Sequence, residues 1–418
     1  MFTHGRRWWI ICLVTLGTIL NYLARSSLAV AAPTLKTVFA MSTREYSWVV
    51  ATFQGAYTIM QPIAGWVLDK LGLRLGFALF AIGWSISNCA HALAGSWMGL
   101  AFFRGLLGAT EAAAIPSGLK VVSEWFPPKE RTVATGWFNI GSSLGAMIAP
   151  PLVIFCILHW GWRMAFVVTG GLGLLWAALW YVGYRKPEDD VRLGAKERAY
   201  ILSGRAVDPP AKGVDAWHTV LATREFWSIA IPRFLAEPAW QTFNFFIPLY
   251  LSEVRHMDLK HVAAFAWLPF LAADAGSLCG GYLAPWLMRR FSASLLTSRK
   301  LVMTLGTSLM IGPASIGLAD SATVAIVLFC VGGFAHQMLS GALMTLSADV
   351  FDSRIVATAT GMAGSAAWIG GLAFSLVVGA LADSLGYHPL FACLGVLDLL
   401  AAIALWTLLR ERRGAALA

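Results

Sequence analysis

Twelve times along this chain a run of about twenty or more mostly apolar residues ends in a short polar break, and that repetition leaves few folds open. The runs read as about 8–33, 46–68, 77–95, 97–122, 131–158, 162–184, 225–251, 260–288, 300–319, 321–347, 354–381 and 388–409. A helix of about 20 residues crosses the hydrocarbon core, and lipid admits only segments that satisfy their own backbone groups. Stretches such as Leu174-Leu175-Trp176-Ala177-Ala178-Leu179-Trp180 do not alternate, which excludes a β-barrel. Charged residues make up 13% of the chain, against roughly 25% in soluble domains, so too little polar surface is available to dissolve it. The predicted fold is an all-α membrane protein with twelve transmembrane helices.

The longest polar break, Arg185 to Arg224, separates six spans from six. It is too short to bury a core, although Ala195 to Ser203 reads as a short surface helix. The predicted organisation is a six-helix bundle over 1–184, a cytoplasmic linker over 185–224 and a second six-helix bundle over 225–418. With the N-terminus inside, 23 of the 31 Lys and Arg residues fall on inner segments and 5 on outer ones, which places both termini in the cytoplasm. The same bias accounts for the net charge of +9 without a nucleic-acid partner. The start has signal-peptide features, namely Arg6-Arg7, an apolar core and Ala29-Val30-Ala31, but it is read as the first span because cleavage there would discard Arg25. The six cysteines fall in different apolar spans without metal-ligand spacing and read as packing residues.

Internal repetition supports two halves. Gly65 to Gly72, ending the second span, and Gly379 to Gly386, ending the eleventh, both read G-x-x-x-D-x-x-G. The counterpart after the eighth span, Gly281 to Arg290, has no aspartate. Asp69, followed by Lys70 and Arg74 in a glycine-rich turn, is either a latch that breaks when the bundles move or a static turn.

Charges inside spans are expensive and mark functional positions. Arg25 follows the first apolar run, and Glu111 lies inside the fourth. A guanidinium stays charged and its fork fits a carboxylate, so Arg25 holds either a substrate carboxylate or an acid such as Glu111. Arg104 and Glu111 share a helix face but lie about 10 Å apart by rise. Glu111 therefore needs another partner or stays protonated, and it is the candidate proton carrier. Arg233 and Glu237 stand at i, i+4 and read as a structural ion pair or as a transport element, and Pro232, Pro238 and Pro248 are expected to break or bend the seventh span. Gln241 and Asn244 on the same span, His336, Gln337 and Ser340 on the tenth, and Ser365 and Trp368 on the eleventh offer neutral donors, acceptors and a ring, as a sugar would need. They serve substrate contact or interhelical hydrogen bonding. Asp274 and Asp398 are further buried acids without an assigned role. No G-x-x-x-x-G-K-[ST] loop, nucleophile–base arrangement, haem motif or zinc motif is present, so the chain reads as a non-enzyme without cofactor or metal.

The turn Gly65–Arg74, the stretch Arg104–Ala112 and the glycine-spaced Gly141–Gly145 before Pro150-Pro151 resemble the signature segments of the major facilitator superfamily. Asn21-Tyr22-Leu23-Ala24-Arg25 and the Glu111 stretch resemble its anion:cation symporter family. Ala109–Pro128, Pro232–Phe243, Ser298–Gly317 and Gly332–Val350 resemble bacterial hexuronate transporters. That resemblance implies proton-coupled import of galacturonate or glucuronate across the inner membrane by alternating access. It assigns Arg25 to the substrate carboxylate, Glu111 to the proton and Tyr22 and Tyr57 to the site. Asn139, Ser142, Gln241, Asn244, His336, Gln337, Ser340, Ser365 and Trp368 join the binding set, and Asp69, Arg74 and Arg104 the gating set. Carriers resembling the galactonate transporters place an aspartate where this chain has Ala24, so fewer protons per substrate are expected here. The expected partners are a sugar-acid anion, a proton and the bilayer, and a monomer suffices because one chain holds both bundles. A carrier of another organic anion, an aldonate or an aromatic acid, and a sugar-acid sensor that moves nothing are the competing readings.

Overall fold

The computed structural model describes residues 5–202, 216–257, 265, 267–385 and 387–410. The chain order is α1 (Arg6–Val38), α2 (Thr43–Leu71), α3 (Leu73–Ala90), α4 (Trp97–Glu111), α5 (Ala114–Trp125), α6 (Arg131–Trp160), α7 (Trp162–Gly183), α8 (Ala195–Leu202) and α9 (Ala216–Ala222). It continues with α10 (Arg224–Glu253), α11 (Leu268–Phe291), α12 (Leu295–Leu309), α13 (Ile311–Ala314), α14 (Ala322–Val350), α15 (Val356–Leu385) and α16 (Tyr387–Leu408). Eight helical stretches among the described residues are long and apolar enough to cross a membrane. The helices α2, α10, α11 and α15, of 29, 30, 24 and 30 residues, lie outside that set. Large apolar side chains such as Ile59, Leu158, Leu175 and Ile311 are exposed on the helices, as a surface bathed in lipid requires.

Local chemistry sets several helix ends. Ser42 and Glu45 form a reciprocal capping box at the start of α2. Ser96, Ser294 and Thr223 cap α4, α12 and α10 through their hydroxyls. Gly72, at φ 75°, takes the left-handed turn between α2 and α3 that a side chain would resist. The fourth span is one membrane-capable stretch, Trp97–Trp125, built of two helices: α4 ends at Glu111 and α5 starts at Ala114, since Pro116 cannot donate the amide bond that the Ala112 carbonyl would accept. Of the break or bend expected from the prolines of the seventh span, the break does not occur: α10 runs through Pro232, Pro238 and Pro248, as packed neighbours allow in membrane helices.

The chain divides into two compact units that exchange short segments. The first contains Met1–Pro127, Trp137–Ala216 and Phe351–Met362. The second contains Pro128–Gly136, Trp217–Val350 and Ala363–Ala418.

In the first unit, α3 and α7 pack through the rings of Phe77, Trp84, Trp176 and Trp180, with Trp180 stacked on Tyr184 at 4.4 Å. Asn88 donates to Thr169 Oγ1 at 2.7 Å and to the Phe166 carbonyl at 3.1 Å, a buried polar link between the same helices. The first part of the polar break docks on α1: Glu197, on α8, accepts from the amides of Arg6 and Arg7, and Arg6 Nε reaches Asp190 at 2.8 Å. These contacts cap the α1 N-terminus with an acid. Burial alone would raise the Asp190 carboxyl, but the Arg192 amide and the Arg6 and Arg192 side chains outweigh it and hold that carboxyl below its ordinary value.

In the second unit, α11 and α14 approach through small residues. A Cβ on Gly280 would fall 2.8 Å from Met338 Cγ, and one on Gly276 would meet the Phe334 carbonyl. Tyr250, Phe329 and Phe391 pack edge to face in a second aromatic core. Of the six free cysteines only Cys156 is buried; Cys12, Cys279 and Cys393 are exposed on helix faces, so core packing does not explain those three.

Candidate functional site

In the first unit, Arg25 stands in the middle of α1 and donates through Nε to Glu111 Oε2 at 2.9 Å. The Glu111 side chain is fully buried, and that of Arg25 is 16% exposed. Three rings face the guanidinium carbon: Tyr22 at 4.5 Å, Tyr57 at 4.8 Å and Phe53 at 5.1 Å. Arg104 lies over Phe53 at 4.6 Å and donates to the Arg25 carbonyl at 2.7 Å. The approach of α4 to α2 depends on Gly108, where a Cβ would fall 3.1 Å from Phe53 Cα. Four expected residues, Arg25, Tyr22, Tyr57 and Glu111, are thus brought together, with Arg104 behind them. The reading that pairs Arg25 with Glu111 describes this state of the molecule.

Two cations, Arg25 and Arg104, stand in this cluster with one carboxylate, which Arg25 bonds. The cluster carries one net positive charge with Glu111 ionised and two with Glu111 protonated. Glu111 Oε1 and Arg25 Nη2 are buried without a hydrogen-bond partner among the described residues, so neither group is saturated by the pair. A proton on Glu111 weakens its hold on Arg25 and raises the attraction for an anion. Two features were not singled out from sequence. Phe53 is one; an aromatic residue within a helical turn of Tyr57 is its only local signal. The other is the break after Glu111, which Pro116 announces.

Asn139 and Ser142 are buried on α6, and Ser142 donates to the Asn139 carbonyl at 2.7 Å. They sit where α6 meets α1, since a Cβ on Gly145 would come within 2.8 Å of Tyr22 Cβ.

The expected gating residues separate. Asp69 Oδ1 accepts from Lys120 Nζ at 2.5 Å, and Oδ2 from the Thr358 amide at 2.7 Å and hydroxyl at 2.6 Å. Asp69 therefore caps the first turn of α15 across 289 residues of sequence, within the first unit. Arg74 turns away: its Nε donates to the Tyr181 carbonyl at 3.0 Å and its guanidinium covers the Tyr181 ring. Lys120, a lysine inside an apolar run, is the partner that sequence reading passed over. A second cluster, in the second unit, was also missed. Asp349 accepts from Arg299 Nε at 2.9 Å and Arg131 Nη1 at 3.3 Å, Arg131 also reaches the Ala348 carbonyl, and Arg299 Nη2 donates to the Pro128 carbonyl at 2.9 Å.

In the second unit, Trp240 on α10 stacks on His336 of α14 with centroids 5.7 Å apart and planes 12° apart. Gln241 Nε2 donates to Glu237 at 3.3 Å, and Gly371 on α15 packs against both of these side chains. His336, Gln337 and Gln241 are buried. His336 Nδ1 lacks a partner among the described residues. Ser340, Ser365 and Trp368 are half-buried on α14 and α15. The side chains of Asn244 and of Asp383 lie outside the described residues, as does Gly386. Asp274 is buried, and Asp398 is buried with neither oxygen hydrogen-bonded among the described residues.

Comparison with known proteins shows what the chain as a whole is similar to. The model of the Major Facilitator Superfamily matches residues 14–298. The hexuronate transporter of Escherichia coli K12 is 53% identical over 411 residues, spanning 98% of this chain and 95% of the relative. The galacturonate transporter of Dickeya chrysanthemi is 52% identical over 325 residues, 77% of this chain and 94% of the relative. Among solved structures, the proton:xylose symporter XylE aligns with a TM-score of 0.74 at 17% identity over 97% of this chain and 96% of that one, a likeness of fold.

Proposed function

This chain belongs to the major facilitator superfamily, and from that premise we propose that it is a proton-coupled symporter that imports hexuronates, galacturonate and glucuronate among them, by alternating access. It is a transporter and not an enzyme, a multi-pass protein of the bacterial inner membrane. Counting α2, α10, α11 and α15 with the eight membrane-capable stretches gives twelve spans, arranged in this reading as bundles over 1–184 and 225–418 joined by 185–224, with both termini cytoplasmic. A monomer is the functional unit in this reading.

The observation that carries the proposal is the buried Arg25–Glu111 pair at 2.9 Å. A proton taken up by Glu111 removes the charge that holds Arg25. The freed fork then receives the hexuronate carboxylate bidentately, with Tyr22, Tyr57, Asn139 and Ser142 beside it. Gln241, Asn244, His336, Gln337, Ser340, Ser365 and Trp368 take the hydroxyls and the sugar face during the cycle. Proton and anion favour each other's binding because each relieves the cost the other leaves, and that reciprocity is the coupling. After Asp69 releases Lys120 and Thr358, the substrate departs, Glu111 loses its proton to the more alkaline cytoplasm, and Arg25 recovers its partner. Arg104 holds the Arg25 backbone throughout.

The test is radiolabelled galacturonate uptake into proteoliposomes under an inward proton gradient. The native chain accumulates galacturonate. Glu111→Gln loses gradient-driven accumulation and keeps galacturonate exchange, because an amide mimics the protonated acid. Absence of galacturonate uptake by the native protein overturns the substrate; undiminished accumulation in Glu111→Gln overturns the role of Glu111.

A further inference from the structure

At the α2–α3 turn of the first unit lies a cavity of about 320 Å³, beside the Asp69–Lys120 pair that opens in the proposed cycle and with further basic side chains that the cycle does not use. The α2–α3 turn, α5, the residues following α7 and the segment leading into α15 form its walls. Its size falls at the lower end of the range for small-molecule sites, roughly 300–1,000 Å³. Six cations line it: Lys70, Arg74, Lys120, Arg185, Lys186 and Arg354. Against them stand Asp69, Glu124 and Asp189.

The pairing of these groups decides what the cavity attracts. Lys120 neutralises Asp69 at 2.5 Å, Arg354 is held by Asp352 at 2.7 Å, and Glu124 accepts from the Tyr184 hydroxyl at 2.5 Å. Lys70, Arg74, Arg185 and Lys186 have no carboxylate partner among the described residues. Arg74 and Arg185 spend their bonds on helix-end carbonyls: Arg74 on Tyr181, Arg185 on Tyr181, Val182 and Tyr184. Lys70 lies over the Trp66 ring at 5.4 Å. These contacts fix where the cations point without cancelling their charge. A compact polyoxyanion that accepts from several directions suits such a cradle better than a planar carboxylate does. Leu71, 47% exposed on the wall, adds an apolar lip.

We propose that this cavity is a binding site for a phosphate group, supplied either by the headgroup of an anionic phospholipid or by a soluble phosphorylated sugar. Basic pockets at the cytoplasmic ends of membrane helices take acidic headgroups for the same electrostatic reason. The lipid source rests on the orientation proposed above; the charge argument does not. A bound phosphate would bridge Lys70 and Arg74 at the α2–α3 turn to Arg185 and Lys186 after α7, next to the Asp69–Lys120 pair.

The experiment measures binding to the detergent-solubilised full chain of two probes, dihexanoyl phosphatidylglycerol below its micelle concentration and glucose 6-phosphate. Two variants are compared with the native protein. Lys186→Glu changes an exposed side chain, and Arg185→Gln/Lys186→Gln removes two charges. Melting of each variant reports folding. Native protein binds at least one probe, and both variants weaken that binding by about fivefold or more while the melting temperature holds. The probe that binds more tightly identifies the source. If neither probe binds, or if folded variants bind as the native chain does, the basic face serves topology alone and the proposal falls. Failure of galacturonate transport leaves this readout untouched, so the two readings fail separately.

Discussion

Replacing Arg25 by lysine separates charge from shape at the site. Lysine keeps the positive charge but loses the planar fork, its second donor for a carboxylate and its stacking on Tyr22 and Tyr57. A hydrogen bond to a charged group contributes about 1.5–3 kcal/mol, so Arg25→Lys raises the galacturonate KM by roughly tenfold or more in proteoliposomes. An unchanged KM would remove Arg25 from the carboxylate contact. Arg25 and Glu111 were legible in the sequence because a charge in an apolar run has no inexpensive explanation. Their mutual pairing stood as one of two readings, since 86 residues separate them and either a substrate or an acid could answer the guanidinium. Phe53 and Trp240 were invisible for the opposite reason: one more aromatic residue in a chain with 19 tryptophans and 24 phenylalanines carries no signal until its neighbours are known.

At the level of elements, Asp69 joins three pieces of chain: the end of α2, Lys120 on α5 and the first turn of α15. Breaking one side of a buried ion pair strands the other charge, at a cost of roughly 3–5 kcal/mol, whereas replacing both sides by apolar groups can be neutral. Asp69→Asn and Lys120→Met each lower the melting temperature in detergent, and the double variant melts above Asp69→Asn. A strictly additive double variant would show that the two side chains act independently. Gly65 belongs to the same joint, because a Cβ there would come within 2.9 Å of Thr358 Cα; Gly65→Val therefore melts below the native protein as well. The repeated G-x-x-x-D-x-x-G motif announced this joint in sequence, but its partners are set by packing. The same limit applies to the prolines of the fourth and seventh spans. Pro116 ends α4 while Pro238 leaves α10 whole, since the outcome depends on whether neighbouring helices support the freed backbone.

At the scale of the whole molecule, where the division into six and six spans belongs to the proposal, the all-helical membrane fold was legible because hydropathy is a sum over long segments. The exchange of Pro128–Gly136 and Phe351–Met362 between the two units was not, since it rests on contacts such as Arg131 with Asp349 and Asp69 with Thr358. The transport stoichiometry is a property of the same scale. Ala24 is buried on α1 and carries no proton, and the proposed cycle uses Glu111 as its one coupling acid. One proton with one hexuronate monoanion moves no net charge. Each pH unit then contributes about 1.4 kcal/mol, a tenfold accumulation at most, while the membrane potential contributes nothing. Uptake at a fixed pH gradient is therefore the same with and without a potassium–valinomycin potential. A carrier of two protons would gain about 2.3 kcal/mol per 100 mV, roughly fifty-fold in accumulation. Potential-driven accumulation of that size would require a second proton carrier, with Glu237, half-buried and bonded to Gln241 in the second unit, as the first residue to replace.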